Sequence, residues 1–242
     1  MHEFEQVCRP IIFESFVPES VYWRKGSSFL VSNSRNCYWV TATHILKKMD
    51  VKIESVRIFS SDNSRMSLPF NEKYLVNVEG DEKDFHDITV VRVDLSRFDK
   101  SGDAPLISQD IDRGFLGAEQ LKLSDEIWII GYPSESNHID YENRLIQNNR
   151  VAIRAIYDGG SFTDHCHRIR IESSIKLEDM EGLSGSPVFH MQRRIIDNQP
   201  VYFPMLVGML LRGTVSSGIA HFVSSSVIVR IIKLAEDSHT CK

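Results

Sequence analysis

Short apolar runs, most of them rich in Val, Ile, Phe and Tyr, recur along the whole chain: SSFLVS, CYWVTA, VKIESVRIF, DITVVRVD, EIWIIGYP, NRVAIRAIY, HRIRIESS, SPVFHM, VYFPMLVGMLL and IAHFVSSS. Clusters of Gly, Pro, Asn, Asp and Ser separate them, so the pattern reads as strand after strand. Only two stretches carry helical spacing, a turn around His44 to Met49 and a C-terminal segment from Ser226 to about Glu236. The expected class is all-β with helical trim, and strands at this frequency favour barrels or sandwiches. Strand signals stop in the polar stretch from Asp99 to Gln120 and resume at Glu126. That places a junction near residues 105 to 122 and suggests two β units of about 110 residues each.

Composition narrows the function classes. With 42% hydrophobic and 25% charged residues among 242, the chain has ample material for a packed core, which rules out disorder for most of it. No apolar run approaches the ~18 to 20 residues that would span a bilayer as a helix, so no membrane association is expected. The first residues, MHEFEQVCRPIIFESF, carry acids where a secretory signal would need a basic start, and a cytoplasmic protein is expected. Twenty-eight Lys plus Arg stand against 33 Asp plus Glu, a net charge of −5 that gives no reason to expect nucleic acid as a partner. Arg150, Arg154 and Arg168 alternate with apolar residues and fit the solvated faces of strands. The four cysteines, Cys8, Cys37, Cys166 and Cys241, form no CxxC pair, which argues against a zinc site and a dense disulfide framework. The segment His165 to His167 (HCH) invites a metal reading, but neighbours in an extended strand point to opposite faces and cannot easily share one ion. No metal and no cofactor are expected.

The chemistry lies elsewhere. In EGLSGSPVF, Glu181 to Phe189, a serine is flanked by Gly182 and Gly185, whose freedom permits a tight loop with backbone N–H groups converging where an oxyanion forms. The α/β-hydrolase elbow G-x-S-x-G does not apply, because Ser186 occupies the fifth position. A serine needs a base, and His44 in CYWVTATHIL follows an apolar run that ends in Thr41, Ala42 and Thr43, small residues that let the strand end present an imidazole into a cleft. Asp87 heads the apolar strand DITVVRVD and is the candidate to orient that imidazole.

VTATHIL, HDITVVRVD and GLSGSPV, in the order His, Asp, Ser, resemble the three signatures of trypsin-like serine peptidases. WIIGYP, LVGMLLRG and GIAHFVSSSVI are similar to further strands of that superfamily, the last to the HtrA-type branch, so the resemblance covers roughly residues 20 to 235. It implies two six-stranded antiparallel β-barrels, residues 1–110 carrying His44 and Asp87, and residues 111–242 carrying Ser184 and a short C-terminal helix. His44 would take the proton of Ser184, Asp87 would hold the imidazole, and the backbone N–H groups of Gly182 and Ser184 would form the oxyanion hole. The substrate would be a polypeptide.

The resemblance also implies where a substrate would lie: beside the strand containing Leu211, Arg212 and Gly213, with its side chain near the loop KLEDMEG. Glu178, Asp179 and Glu181 in that loop would favour Lys or Arg if one of them were buried opposite the substrate cation, while Arg212 introduces a conflict. Leu183 stands where digestive members carry an aspartate, so activation by N-terminal processing is not expected. No cysteine follows His44 closely, so the disulfide that often brackets this histidine is not expected, nor is a PDZ domain. Control by a regulatory protein partner and a self-contained peptidase both stay open, as does a catalytically silent binding module that uses the same cleft.

Overall fold

The computed structural model describes residues 3–15, 17, 19, 21–47, 52–62, 64, 66–75, 87–98, 106–143, 145–172 and 178–240. Its first strands are β1 (Cys8–Glu14), β2 (Tyr22–Ser32) and β3 (Cys37–Ala42), followed by the single-turn helix α1 (Thr43–Lys47). Then come β4 (Val56–Arg57), β5 (Phe70–Leu75), β6 (Ile88–Val93) and β7 (Gln109–Asp110). The second half holds β8 (Glu126–Gly131), β9 (Ile139–Asp140), β10 (Leu145–Ile146), β11 (Val151–Gly160), β12 (Cys166–Ile171), β13 (Pro187–Ile196), β14 (Gln199–Thr214) and β15 (Ile219–Ser224), and ends in α2 (Ser225–Thr240).

Six strands of the second half close on one another as a ring, in the order β11-β12-β15-β14-β13-β8. The first half is different: its seven strands form an open sheet, β4-β1-β2-β3-β6-β5, with β7 added to β2 in parallel. The two-barrel expectation is therefore met only as a mostly β architecture with one closed ring. The edge strands β4 and β5 are linked through the antiparallel bridge Phe59–Ser67, and a cavity of about 460 Å3 lies beside it, lined by Val56, Arg57, Phe70 and Lys73 among others.

Burial explains the strands. β3 (CYWVTA) is buried at every position, as expected of a central strand covered on both faces. The ring interior is filled by Ile127, Ile129, Ile153, Ile169, Val188, Leu210 and Phe222. The other core packs Phe29, Tyr38, Trp39 and Val90 of the first sheet against Ile130, Phe189 and Leu206 from the second half and Val227, Ile228 and Ile232 of α2. The stretch expected to be a polar junction is packed as well. Ile111 and Ala118 are buried, Ile111 N–H donates to the Ser32 carbonyl, and Leu116 N–H donates to the Leu206 carbonyl.

Several elements differ from their sequence expectation for local reasons. VKIESVRIF yields a 3-10 turn at Ile53–Ser55 and only two strand residues, because Ser55 bonds back to the Lys52 carbonyl through both its N–H and its hydroxyl. β1 is not among the strands expected from the sequence; it contains Pro10, which a register shift between Pro10 and Ile12 accommodates. β13 and β14 run on as a two-stranded ribbon past the ring, joined at Asp197 and Asn198, both at positive φ as a tight hairpin turn requires. Arg150 is not on a solvated face: its side chain is 5% exposed and pairs with Asp62 at 3.1 Å, whereas Arg154 is half exposed beside Glu126 and Arg168 partly exposed beside Asp158. Among the described residues no helix is long and apolar enough to cross a membrane.

Candidate active site

The register of two strands brings His44 to Asp87. β3 pairs with β6 so that Ala42 faces Ile88, and the next residues outward meet in turn: Thr43 N–H donates to the Asp87 carbonyl at 3.1 Å. The Asp87 carboxylate then holds His44 twice, accepting its backbone N–H at Oδ1 (2.7 Å) and its ring Nδ1 at Oδ2 (2.5 Å). An ionised carboxylate only accepts, so Nδ1 carries the proton of this contact, and in the neutral imidazole Nε2 is the nitrogen that holds the lone pair. The imidazole is 44% exposed and the carboxylate 18%, so the candidate base is open to a ligand while its partner is sheltered.

The loop bearing Ser184 is shaped by two glycines in the left-handed region, Gly182 at φ 88° and Gly185 at φ 83°. Within it Leu183 N–H donates to the Met180 carbonyl, Gly185 N–H to that of Leu210 and Ser186 N–H to that of Leu183. Gly182 N–H and Ser184 N–H reach no acceptor among the described residues. Their direction is set from behind, because the N–H and C=O of a trans peptide point opposite ways. The Glu181 carbonyl is taken by Ser134 N–H at 2.8 Å and the Leu183 carbonyl by Ser186 N–H at 3.0 Å, which turns the two N–H groups away from those partners. Two unengaged donors thus flank Leu183 beside the Ser184 side chain.

The Ser184 hydroxyl itself donates to the Leu211 carbonyl at 2.8 Å, and among the described contacts no hydrogen bond joins it to His44. At this point the two halves are linked by Ser27 of β2. Its N–H donates to the Ser184 carbonyl at 2.9 Å, and its own carbonyl accepts the Thr41 hydroxyl, three residues before His44, at 2.9 Å.

The residues expected to line a specificity pocket are less cohesive. Leu211 is buried next to Ser184, and Gly213 lies so close to Ala220 and Met180 that an added Cβ would meet them at 2.8 and 3.1 Å. Glu178 and Asp179 are exposed, with Glu178 N–H bonded to the Glu135 carboxylate and Asp179 Oδ1 accepting Glu181 N–H. Glu181 pairs with Lys25 across the halves at 3.1 Å. A hydrated carboxylate gives no desolvated contact for a substrate cation, so the reason for assigning Glu178 or Asp179 to a basic side chain is missing. Arg212 is exposed, too.

Among the described residues, no group of three or more His, Cys, Asp and Glu side chains is placed to hold a metal ion. In the HCH segment, Glu119 Oε1 lies 3.4 Å from His165 Nδ1 and 4.0 Å from His167 Nε2, and burial pushes the His167 imidazole below its ordinary value. Cys8, Cys37 and Cys166 are buried and in no disulfide among the described residues, and burial raises the first two thiols to about 12. Cys241 lies outside the described residues.

Sequence reasoning missed Ser27 and Ser134, which hold the nucleophile loop. The only signal for Ser27 was the tract KGSSF, small residues ahead of an apolar run. Compared with known proteins, the chain matches no family model and no curated protein.

Proposed function

We propose that this protein is a serine endopeptidase, built on the trypsin-like double-barrel plan, that hydrolyses peptide bonds through His44, Asp87 and Ser184. The observation that carries this reading is the arrangement of Asp87 on His44 Nδ1 together with two unengaged N–H groups, of Gly182 and Ser184, beside a serine hydroxyl. Rotation of the Ser184 hydroxyl away from Leu211 would let Nε2 of His44 accept its proton as Oγ attacks the substrate carbonyl. The oxyanion would be met by the two N–H groups, where loss of one donor typically costs about 3 to 4 kcal/mol. The imidazolium would then protonate the leaving amine, and water, deprotonated by the same imidazole, would release the acyl group. Buried cysteines outside any disulfide among the described residues suit a reducing compartment such as the cytoplasm.

A second reading is favoured by one observation, the Ser184 hydroxyl resting on a backbone carbonyl instead of on the base. On that reading the cleft binds a polypeptide without turning it over. Labelling with a fluorophosphonate separates the two. Wild-type protein is expected to label at Ser184 and to cleave a peptide library, with Ser184→Ala and His44→Ala doing neither. A folded wild type that never labels and never cleaves refutes the peptidase.

A further inference from the structure

We infer that Ser27 is a positioning residue for the oxyanion loop, an inference that rests on the peptidase reading. Ser27 is fully buried in β2, directly after Gly26, in the half of the molecule opposite the nucleophile. Its hydroxyl donates to the Gly182 carbonyl at 2.7 Å and accepts Tyr132 N–H at 2.9 Å, while its backbone N–H donates to the Ser184 carbonyl at 2.9 Å. One residue therefore holds the carbonyls on both sides of Leu183, and it does so from the sheet that carries His44 and Asp87. The Ser27 carbonyl extends the link, since it accepts the Thr41 hydroxyl and sits 2.1 Å from where a Cβ on Gly185 would be.

The hydroxyl matters for a specific reason. Gly182, like Gly185, has no Cβ and sits in the left-handed region, at φ 88°, so the peptide that carries its carbonyl can turn at low local cost. Removing the Ser27 hydroxyl leaves two buried backbone groups, the Gly182 carbonyl and Tyr132 N–H, without a partner. An orphaned buried carbonyl is costly, and turning the peptide is the route by which it can find another donor. That turn would carry the neighbouring N–H groups off the position an oxyanion needs. The imidazole and carboxylate, bonded to each other and not to Ser27, would be left as they are. Ser27 would thus act on charge stabilisation and leave proton transfer untouched.

The test is the rate of fluorophosphonate labelling, in which Ser184 gives its hydroxyl proton to His44 as a bond forms between Oγ and phosphorus, fluoride leaves, and the oxygen on phosphorus occupies the oxyanion position. For full-length Ser27→Ala, the maximal labelling rate is expected to fall ~10- to 100-fold, the scale of a small misplacement at a reacting centre, with the half-saturating probe concentration within twofold of wild type. The midpoint of the pH profile for labelling should not move. A folded Ser27→Ala protein that labels within twofold of the wild-type rate overturns the inference, and so does one that changes the pH midpoint instead of the rate. Should Ser27→Ala not accumulate as folded protein, Ser27→Cys, which keeps the volume and a weaker donor, is expected to label at an intermediate rate, and a wild-type rate there overturns the inference equally. A wild type that neither labels nor cleaves overturns the peptidase reading and this inference with it.

Discussion

Gly182 and Gly218 offer a way to separate backbone strain from steric collision. Both have positive φ, 88° and 65°, but a Cβ on Gly218 would meet nothing within 4 Å, whereas one on Gly182 would meet the Tyr132 carbonyl oxygen at 2.5 Å and Ser134 N at 2.6 Å. Gly218→Ala thus carries only the left-handed penalty, ~1 to 2 kcal/mol, partly offset by the reduced freedom of the unfolded chain. Gly182→Ala adds a collision with two backbone atoms, which cannot swing aside as a side-chain end can. Relief means displacing the 132–134 segment, at ~1 to 3 kcal/mol for overpacking, together with the bond from Ser134 N–H to the Glu181 carbonyl, about 1 kcal/mol net. The expected difference between the two variants is therefore ~2 to 4 kcal/mol. In a chain of this size it corresponds to a Tm lower by about 4 to 16 °C for Gly182→Ala. Urea unfolding with an unchanged slope would confirm that folded-state stability is what differs. Equal losses in the two variants would refute the packing argument, and with it the claim that Ser134 fixes the Gly182 peptide from behind.

Two further outcomes follow from the carboxylates. Asp87→Asn keeps the shape of the side chain but cannot offer an acceptor to both His44 N–H and Nδ1–H, so on the peptidase reading turnover should fall on the order of 10³- to 10⁴-fold with a near-normal Tm; activity within tenfold of wild type would exclude the assigned role. Burial pushes the Glu236 carboxyl up, but hydrogen bonds from Asn33, Asn36 and Tyr38, each 2.8 Å to Oε1, outweigh it and hold the group below its ordinary value. A depressed carboxyl contributes stability that is present above the unfolded-state value, about 4.3, and is lost as pH falls through the lower folded-state value. Melting curves from pH 7 down to 3 should show a steeper acid loss for wild type than for Glu236→Gln, and parallel curves would count against the assignment.

The catalytic candidates were legible because each is set by local sequence: His44 ends an apolar strand, Asp87 begins one, and glycines bracket Ser184. Their meeting depends on register, and Ala42 facing Ile88 is a pairing that no single segment declares. The supports were illegible for the same reason. Ser27 and Ser134 are ordinary turn-like residues in sequence, and their importance lies in carbonyls contributed by residues far along the chain. Arg150 misled because alternation with apolar residues usually marks a wet face; here the charge is matched at depth by Asp62, itself held by the Tyr132 hydroxyl at 2.7 Å. Closure of the first sheet was expected only from the resemblance to trypsin-like peptidases, yet closure depends on how edge strands meet, and hydrophobic alternation is silent on that.

The position of α2 bears on how the molecule is assembled during synthesis. Every strand among the described residues precedes this helix, yet its Val227, Ile228 and Ile232 belong to the core of the first sheet, and its Glu236 gathers Tyr38 of β3 with Asn33 and Asn36 of the turn before it. A nascent chain that has emerged only as far as β7 would present an apolar layer whose cover has not yet been translated. The first sheet reaches its final packing only after the ribosome has delivered α2. His44 and Asp87 would then settle on their scaffold after Ser184 has already been made, so on the peptidase reading the emerging polypeptide passes through synthesis before the triad is assembled.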